Sequence, residues 1–264
     1  MADIAYEKHG AVRLITINRA DKMNSLDFAA NEALIDIWRT FDQDDDARVA
    51  VITAAGDKAF CAGADLSAGG ETFSRGGSDV PGLKDVPRDG GGLVSLRIFE
   101  SLKPVIGAIN GVAITGGFEL ALACDIRVAS THARFADTHA RVGIMPGWGL
   151  SQKLSRIIGL SRAKELSFTG NFLDAATAAQ WGLVNHVVGP DELMPLARKL
   201  AADIASIDPD FIMEYKALIN SGYDENLREA LHMEHAISSI RNAAVRPAEV
   251  EAKRAEVQAR GRNQ

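Results

Sequence analysis

A chain of 264 residues, 47% hydrophobic and 24% charged, carries enough apolar weight for one sizeable core with at most a small appended unit. Twenty-nine basic against thirty-five acidic side chains leave a formal charge of -6, which offers no general attraction to nucleic acid or an anionic membrane. Two cysteines, Cys61 and Cys124, provide neither a disulfide framework nor a zinc cluster, and with no basic, apolar signal segment they point to a reducing cytoplasm. No apolar run approaches the roughly 20 residues that a membrane-spanning helix needs.

The N-terminus reads as two strands about Gly10, with Val12, Leu14 and Ile15 to Ile17 supplying β-branched and apolar weight. From Asp27 to Phe41 the apolar residues Leu34, Ile37, Trp38 and Phe41 recur at helical spacing, and the run Asp44-Asp45-Asp46 ends the pattern as a solvated turn. Buried strands follow at Val49 to Thr53, Val105 to Asn110 and Ile126 to Ala129, separated by helical or glycine-rich material, an alternation that predicts an α/β sheet. Residues 67–92 hold eight of the twenty-four glycines and two of the eight prolines, which predicts a mobile surface segment with the character of a lid. Beyond Gly149 the chain becomes mostly helical: Leu150 to Ile158, Arg162 to Phe168, Asp174 to Trp181 with Asp174 as N-cap, and Glu192 to Ile207, with one short strand at Val184 to Val188.

Several common motifs are absent. Gly149-Leu150-Ser151-Gln152-Lys153 starts like a nucleophile elbow but ends in lysine, and no glycine-rich loop has phosphate-cradle or dinucleotide spacing. His232 and His235 lie close together without recognisable further ligands, so no metal site is expected. What stands out instead is Gly116-Gly117-Phe118-Glu119, where the strand-like run from Val105 turns through small residues into a helix. Glycine lets a ligand approach the backbone, the first amides of a helix lack intrahelical acceptors, and a residue three further on returns to the same face. A polarised carbonyl and a proton-transfer group can therefore share one pocket. A second small-residue loop, Lys58 to Leu66, follows the strand at Val49 and can also bring N–H groups against a ligand.

Together with Asn110 to Leu120 and Cys124-Asp125-Ile126-Arg127, this loop closely resembles the crotonase family of enoyl-CoA hydratases and isomerases. The resemblance runs from Ile15-Thr16-Ile17-Asn18-Arg19 through Gly182-Leu183-Val184-Asn185. It implies an α/β spiral of ββα repeats over residues 1–200 and a C-terminal helical region, 201–264, that packs a homotrimer or a dimer of trimers. It also implies an acyl-CoA thioester as the substrate, with no metal or redox cofactor. By the same likeness the N–H groups of Ala62 and Gly116 form an oxyanion hole for the thioester carbonyl, and Glu119 is a catalytic acid/base. Lys22, Ala62, Gly63, Ala64, Asp65 and Leu66 match segments that contact CoA.

Three departures from the family pattern bear on the reaction. The second glutamate of family hydratases falls on His139, four residues before Gly143 in Gly143-Ile144-Met145-Pro146-Gly147. Such a pair holds one water between two carboxyl groups; an imidazole titrates near neutral pH and can replace one of them, so Glu119 with His139 is the expected acid/base pair. An extended chain would place Asp137 on the same face as His139, able to orient the ring. Trp148 stands where a small residue is usual; its indole either narrows the acyl pocket or serves an interface or the core. The C-terminal CoA-covering signature is not recognisable in Pro247 to Arg254. The expected activity is therefore an enoyl-CoA hydratase. The alternatives are another enolate reaction (decarboxylase, hydrolase or isomerase) or a non-catalytic acyl-CoA-binding subunit.

Overall fold

The computed structural model describes residues 2–68 and 89–262. Strands β1 (Ile4–His9) and β2 (Val12–Ile17) form a hairpin about Gly10, whose φ of +60° is the left-handed conformation that favours glycine. A 3-10 turn (Ala20–Lys22) precedes α1 (Phe28–Gln43), which Asp27 caps by accepting the Ala30 N–H at 2.9 Å. The predicted helical stripe is the buried one: Leu34, Trp38 and Phe41 are fully enclosed, while Ile37 is partly buried against the same core.

One pattern then repeats: a long strand, a short strand, a helix. The repeats are β3 (Val49–Ala54), β4 (Ala59–Cys61) and α2 (Gly90–Glu100); β5 (Val105–Ile109), β6 (Val112–Ile114) and α3 (Gly116–Ala123); β7 (Ile126–Ser130), β8 (Arg134–Ala136) and α4 (His139–Val142). The chain continues through α5 (Leu150–Ile158), α6 (Leu160–Thr169), β9 (Leu173–Asp174), α7 (Ala175–Gln180), β10 (His186–Val188) and α8 (Pro190–Ala205). It ends in α9 (Pro209–Asp224), α10 (Leu227–Ala243) and α11 (Pro247–Arg262). The long strands build a six-stranded sheet in the order β1-β2-β3-β5-β7-β10, and the short ones a four-stranded sheet, β4-β6-β8-β9. This is the expected α/β spiral of ββα repeats.

Strands β3 and β5 are buried along their whole length, as parallel strands covered on both faces must be. Alternation sends Ala50 and Ile52 into the main core with α1, and Val49 and Val51 toward Leu193, Ala197 and Ala201 of α8. That packing makes α8 part of the core. The compact units are Met1–Met213 and Glu214–Gln264.

The short sheet was not anticipated from sequence, and it is what assembles the site. Strands β4, β6 and β8 run parallel, pairing Cys61 with Ala113 and Ile114 with Ala136. Their C-terminal ends therefore release three loops side by side, starting at Ala62, Thr115 and Asp137. Strand β6 also intervenes where the chain was expected to pass from Val105–Ile109 directly into a helix. Of the stretch predicted to be mobile, the two ends are ordered: Leu66–Ala68 is a 3-10 turn, and the glycines at 90–92 open α2 under an Asp89 cap that accepts the Gly92 N–H at 2.7 Å. The rest of that stretch, and any lid in it, lies outside the described residues.

Gly117 marks the closest approach of α3 to β4. A Cβ there would sit 1.9 Å from the Cys61 carbonyl oxygen, a backbone atom that cannot turn aside. Gly117→Ala is expected to destabilise the protein by about 1–3 kcal/mol. Gly147→Ala, where a Cβ meets nothing within 4 Å, should stay within about 0.5 kcal/mol of the parent. Urea denaturation of the two variants checks both, and equal stabilities would contradict the close-approach argument.

Candidate active site

Glu119 comes from the first turn of α3 and has 1% of its surface exposed. One carboxylate oxygen, Oε1, accepts the N–H groups of Trp148 at 2.9 Å and Leu150 at 3.0 Å. Two amides so close in sequence reach one oxygen because Gly149 between them takes a φ of +116°, and Leu150 is the first residue of α5. The other oxygen, Oε2, lies 3.7 Å from Nε2 of His139. Burial is the largest influence on this carboxyl and raises its pKa above the ordinary value, against the Leu150 and Trp148 N–H groups and His139, which pull it down.

His139 begins α4, so the extended chain expected here is instead a helical turn; Asp137 orients the ring all the same. Its Oδ1 lies 2.7 Å from His139 Nδ1 and also accepts the His139 N–H at 3.2 Å. Burial alone would raise the Asp137 carboxyl, but hydrogen bonds from His139 and Ser167 outweigh it and hold the pKa low. Asp137, His139 and Glu119 thus form a buried line of acid, imidazole and acid, open to a cavity of about 150 Å³.

Ala64, Gly116, Glu119, His139 and Trp148 all line that cavity. Of the expected oxyanion donors, Gly116 has an N–H that donates to no described acceptor, as the first amide of a helix should. Ala62 also lines the cavity, but its N–H already donates to the Met23 carbonyl at 3.1 Å. Two residues on, the Ala64 N–H donates to no described acceptor, because Leu26 bridges to either side of it through Gly63 and Asp65. Gly63, at φ +91°, brings the loops together, since a Cβ there would lie 3.1 Å from the Gly116 nitrogen.

Of the expected CoA contacts, Leu66 lines the cavity and is 59% exposed, whereas Gly63, Asp65 and Lys22 do not line it. Asp65 is committed to Ser67 at 2.6 Å and to Arg19 at 3.2 Å; the Ser67 bond leads in holding its carboxyl low. Lys22 is exposed on the neighbouring turn. Arg19 is buried and also bonds Asp3 and Asp27, joining the N-terminal segment, the cap of α1 and the Ala62–Leu66 loop. Trp148 forms one wall: a Cβ on Gly91 would meet its indole at 2.1 Å, and one on Gly116 at 2.3 Å. Sequence reading passed over Asp89, Thr115 and Thr138, which also line the cavity. The signal for Asp89 was its place before three glycines, a cap position rather than a loop.

The chain matches the enoyl-CoA hydratase/isomerase family over residues 7–245. It is 44% identical over 228 residues to a probable peroxisomal enoyl-CoA hydratase of Arabidopsis thaliana, covering 86% of this chain and 82% of that one. It is 37% identical over 236 residues to a short-chain-enoyl-CoA hydratase of Clostridium acetobutylicum, covering 88% and 86%. Among solved structures, the enoyl-CoA hydratase of Bacillus anthracis superposes with a TM-score of 0.83 at 34% identity, covering 97% of each chain.

Lys153, on α5, was also passed over. Its Nζ sits 4.2 Å from the Phe99 ring centroid, and burial brings its pKa down to about 8 against the opposing pull of Cys124 and Glu119. Below pH 8 the ammonium is charged in the folded and unfolded chain alike, so folding bears the full cost of burying it. Between pH 8 and the ordinary value of 10.5 the unfolded chain holds the proton that the folded chain releases, and stability rises with pH. Lys153→Met should therefore stabilise the protein at pH 7 by about 1–2 kcal/mol, a figure discounted for partial hydration of the side chain. Urea denaturation at pH 7 and pH 10 checks this: the gain should shrink at the higher pH, and an equal gain at both would contradict it.

Proposed function

Because the chain belongs to the enoyl-CoA hydratase/isomerase family, we propose that it adds water across the double bond of a 2-enoyl-CoA thioester, with Glu119 and His139 as the acid/base pair. The observation that carries the reading is the approach of Glu119 Oε2 to His139 Nε2, 3.7 Å apart in one cavity with the unpartnered amides of Ala64 and Gly116. The likeness to hydratases over most of the chain supports it.

Those two amides hold the thioester carbonyl oxygen, taking the role first expected of Ala62 and Gly116. Negative charge develops on that oxygen as C3 is attacked, and each preorganised donor is worth about 3 kcal/mol to the enolate. Glu119, with Oε1 fixed by two N–H groups, presents Oε2 to water and takes its proton as the new C–O bond forms at C3. His139, leaning on Asp137 through Nδ1, gives the Nε2 proton to C2 as the enolate collapses. Glu119 is then protonated and His139 neutral, and passage of that proton between them resets the site. The thioester is its own electron sink, so this reaction calls on no metal or redox cofactor. The Ala62–Leu66 loop, with Lys22 beside it, carries the CoA moiety. We further infer a homotrimer or dimer of trimers in the cytoplasm; apolar Leu227, Leu231 and Ile240 of α10 are exposed on the single chain, and no described helix is long and apolar enough to cross a membrane.

The test is loss of the conjugated enoyl-thioester absorbance with short, medium and long 2-enoyl-CoAs. Glu119→Gln should lower kcat by about 10³-fold or more while leaving acyl-CoA affinity within about threefold; His139→Gln should cost about 10²–10⁴-fold. An unchanged rate in His139→Gln would remove the imidazole from the chemistry. Exchange of the C2 proton without net hydration would reassign the site to another enolate reaction, and tight binding without turnover to an acyl-CoA-binding subunit.

A further inference from the structure

Among the described residues three that are not glycine take a positive φ: Met23 at 53°, Asn24 at 55° and Thr115 at 54°. Met23, with ψ of 31°, sits in the left-handed helical well. Thr115 does not: its ψ of -109° lies outside that well, and for a β-branched residue this is a true outlier. Glycine would take the same backbone without penalty. A conformation of this kind persists only where its surroundings over-determine it. Here they do, since the Thr115 N–H donates to the Ala136 carbonyl at 2.9 Å and its carbonyl accepts the Glu119 N–H at 3.0 Å. The strained residue therefore stands where β6, β8 and the Glu119 turn meet.

Its side chain supplies what glycine could not. Thr115 Oγ1 lies 2.5 Å from Oγ1 of Thr138, the residue before His139. Thr138 is the N-cap of α4, where a threonine hydroxyl ordinarily bonds an amide of its own first turn; here it makes no such bond and faces Thr115. The α4 turn is only four residues long and has no side-chain cap of its own. This bridge ties it directly to the turn that carries Gly116 and Glu119.

We propose that Thr115 is a positioning residue: its strained backbone aims the hydroxyl at Thr138, and the Thr115–Thr138 bridge holds the His139 ring at working distance from Glu119. The inference rests on the acid/base pair proposed above and deepens it by naming what sets the separation of the two groups. Loss of the bridge frees the α4 turn to shift, and misplacement on the scale of 1 Å costs turnover heavily while substrate contacts made elsewhere are kept.

Four variants test it: Thr115→Gly, Thr115→Ala, Thr115→Ser and Thr138→Val, each assayed with 2-butenoyl-CoA beside the parent and Glu119→Gln. The Gly, Ala and Val variants should lose about 10- to 100-fold in kcat with KM within about twofold. Thr115→Ser, which keeps the hydroxyl, should recover kcat to within about threefold of the parent. Thr115→Gly should melt at or above the parent temperature, whereas Thr115→Ala, which keeps the strain and loses the bridge, should melt lower. Parental kcat in Thr115→Gly, or a serine variant as slow as the glycine one, overturns the proposal. If the parent itself does not hydrate the thioester, the hydratase reading fails, and positioning is judged from the imidazole nitrogen NMR signals of His139, assigned with His139→Gln. Shifted or broadened signals in Thr115→Gly and Thr138→Val sustain the bridge as a positioning device, and unchanged signals overturn it.

Discussion

A carboxylate shut away from water must find its solvation in the protein, and the site is arranged around that need. Glu119 finds it in two N–H groups that arrive 29 and 31 residues later in the chain, at the start of α5. Backbone donors at a helix N-terminus are fixed dipoles, so they neutralise charge on one oxygen without supplying a proton. The second oxygen stays chemically available on the cavity side. Binding one oxygen and leaving the other is what the base proposed at Glu119 requires of a buried charge, otherwise a liability. His139 completes the arrangement, and its own ring is oriented by Asp137, so every proton-bearing atom in the line has one defined neighbour.

The loop that carries Ala64 is governed from elsewhere by similar means. Residues 19–26 grip it from one side: Asn24 accepts the Arg19 N–H and donates to the Ala55 and Ala59 carbonyls, Met23 takes the Ala62 N–H, and Leu26 exchanges bonds with Gly63 and Asp65. Arg19 adds an ionic tie to Asp65. The left-handed conformations of Met23 and Asn24 let so short a segment turn its carbonyls and side chains onto one target. The Ala62, Gly63 and Asp65 amides are taken by Met23, Cys61 and Leu26, and the Ala64 amide between them is left without a described acceptor.

Long, periodic elements were legible in the sequence: α1 was read at 27–41 and observed at Phe28–Gln43, and Asp174 caps α7 as expected. The second sheet was not, because β4, β6, β8 and β9 span two or three residues each, too few to display an alternation. For the same reason the site was legible in its parts but not in its wiring. Glu119, His139 and the two small-residue loops could be named from sequence. Which amide of the first loop is free depends on the register of Met23 against Ala62, 39 residues apart, and spacing does not report it. The helical turn at His139 was missed because four residues closed by Gly143 carry no amphipathic signature.

Trp148 lies against Gly91 and Gly116, each without room for a methyl group while the indole is present. The three positions therefore constrain one another's histories. Neither glycine can gain a side chain until the tryptophan shrinks, and a smaller residue at 148 leaves a void against two backbones that only a side chain at 91 or 116 would fill. Gly116 also lines the cavity, where a side chain would take up ligand space, whereas Gly91 does not line it and is the position free to answer. Change in this wall must come as a pair of substitutions, with the intermediate carrying either a clash or a hole.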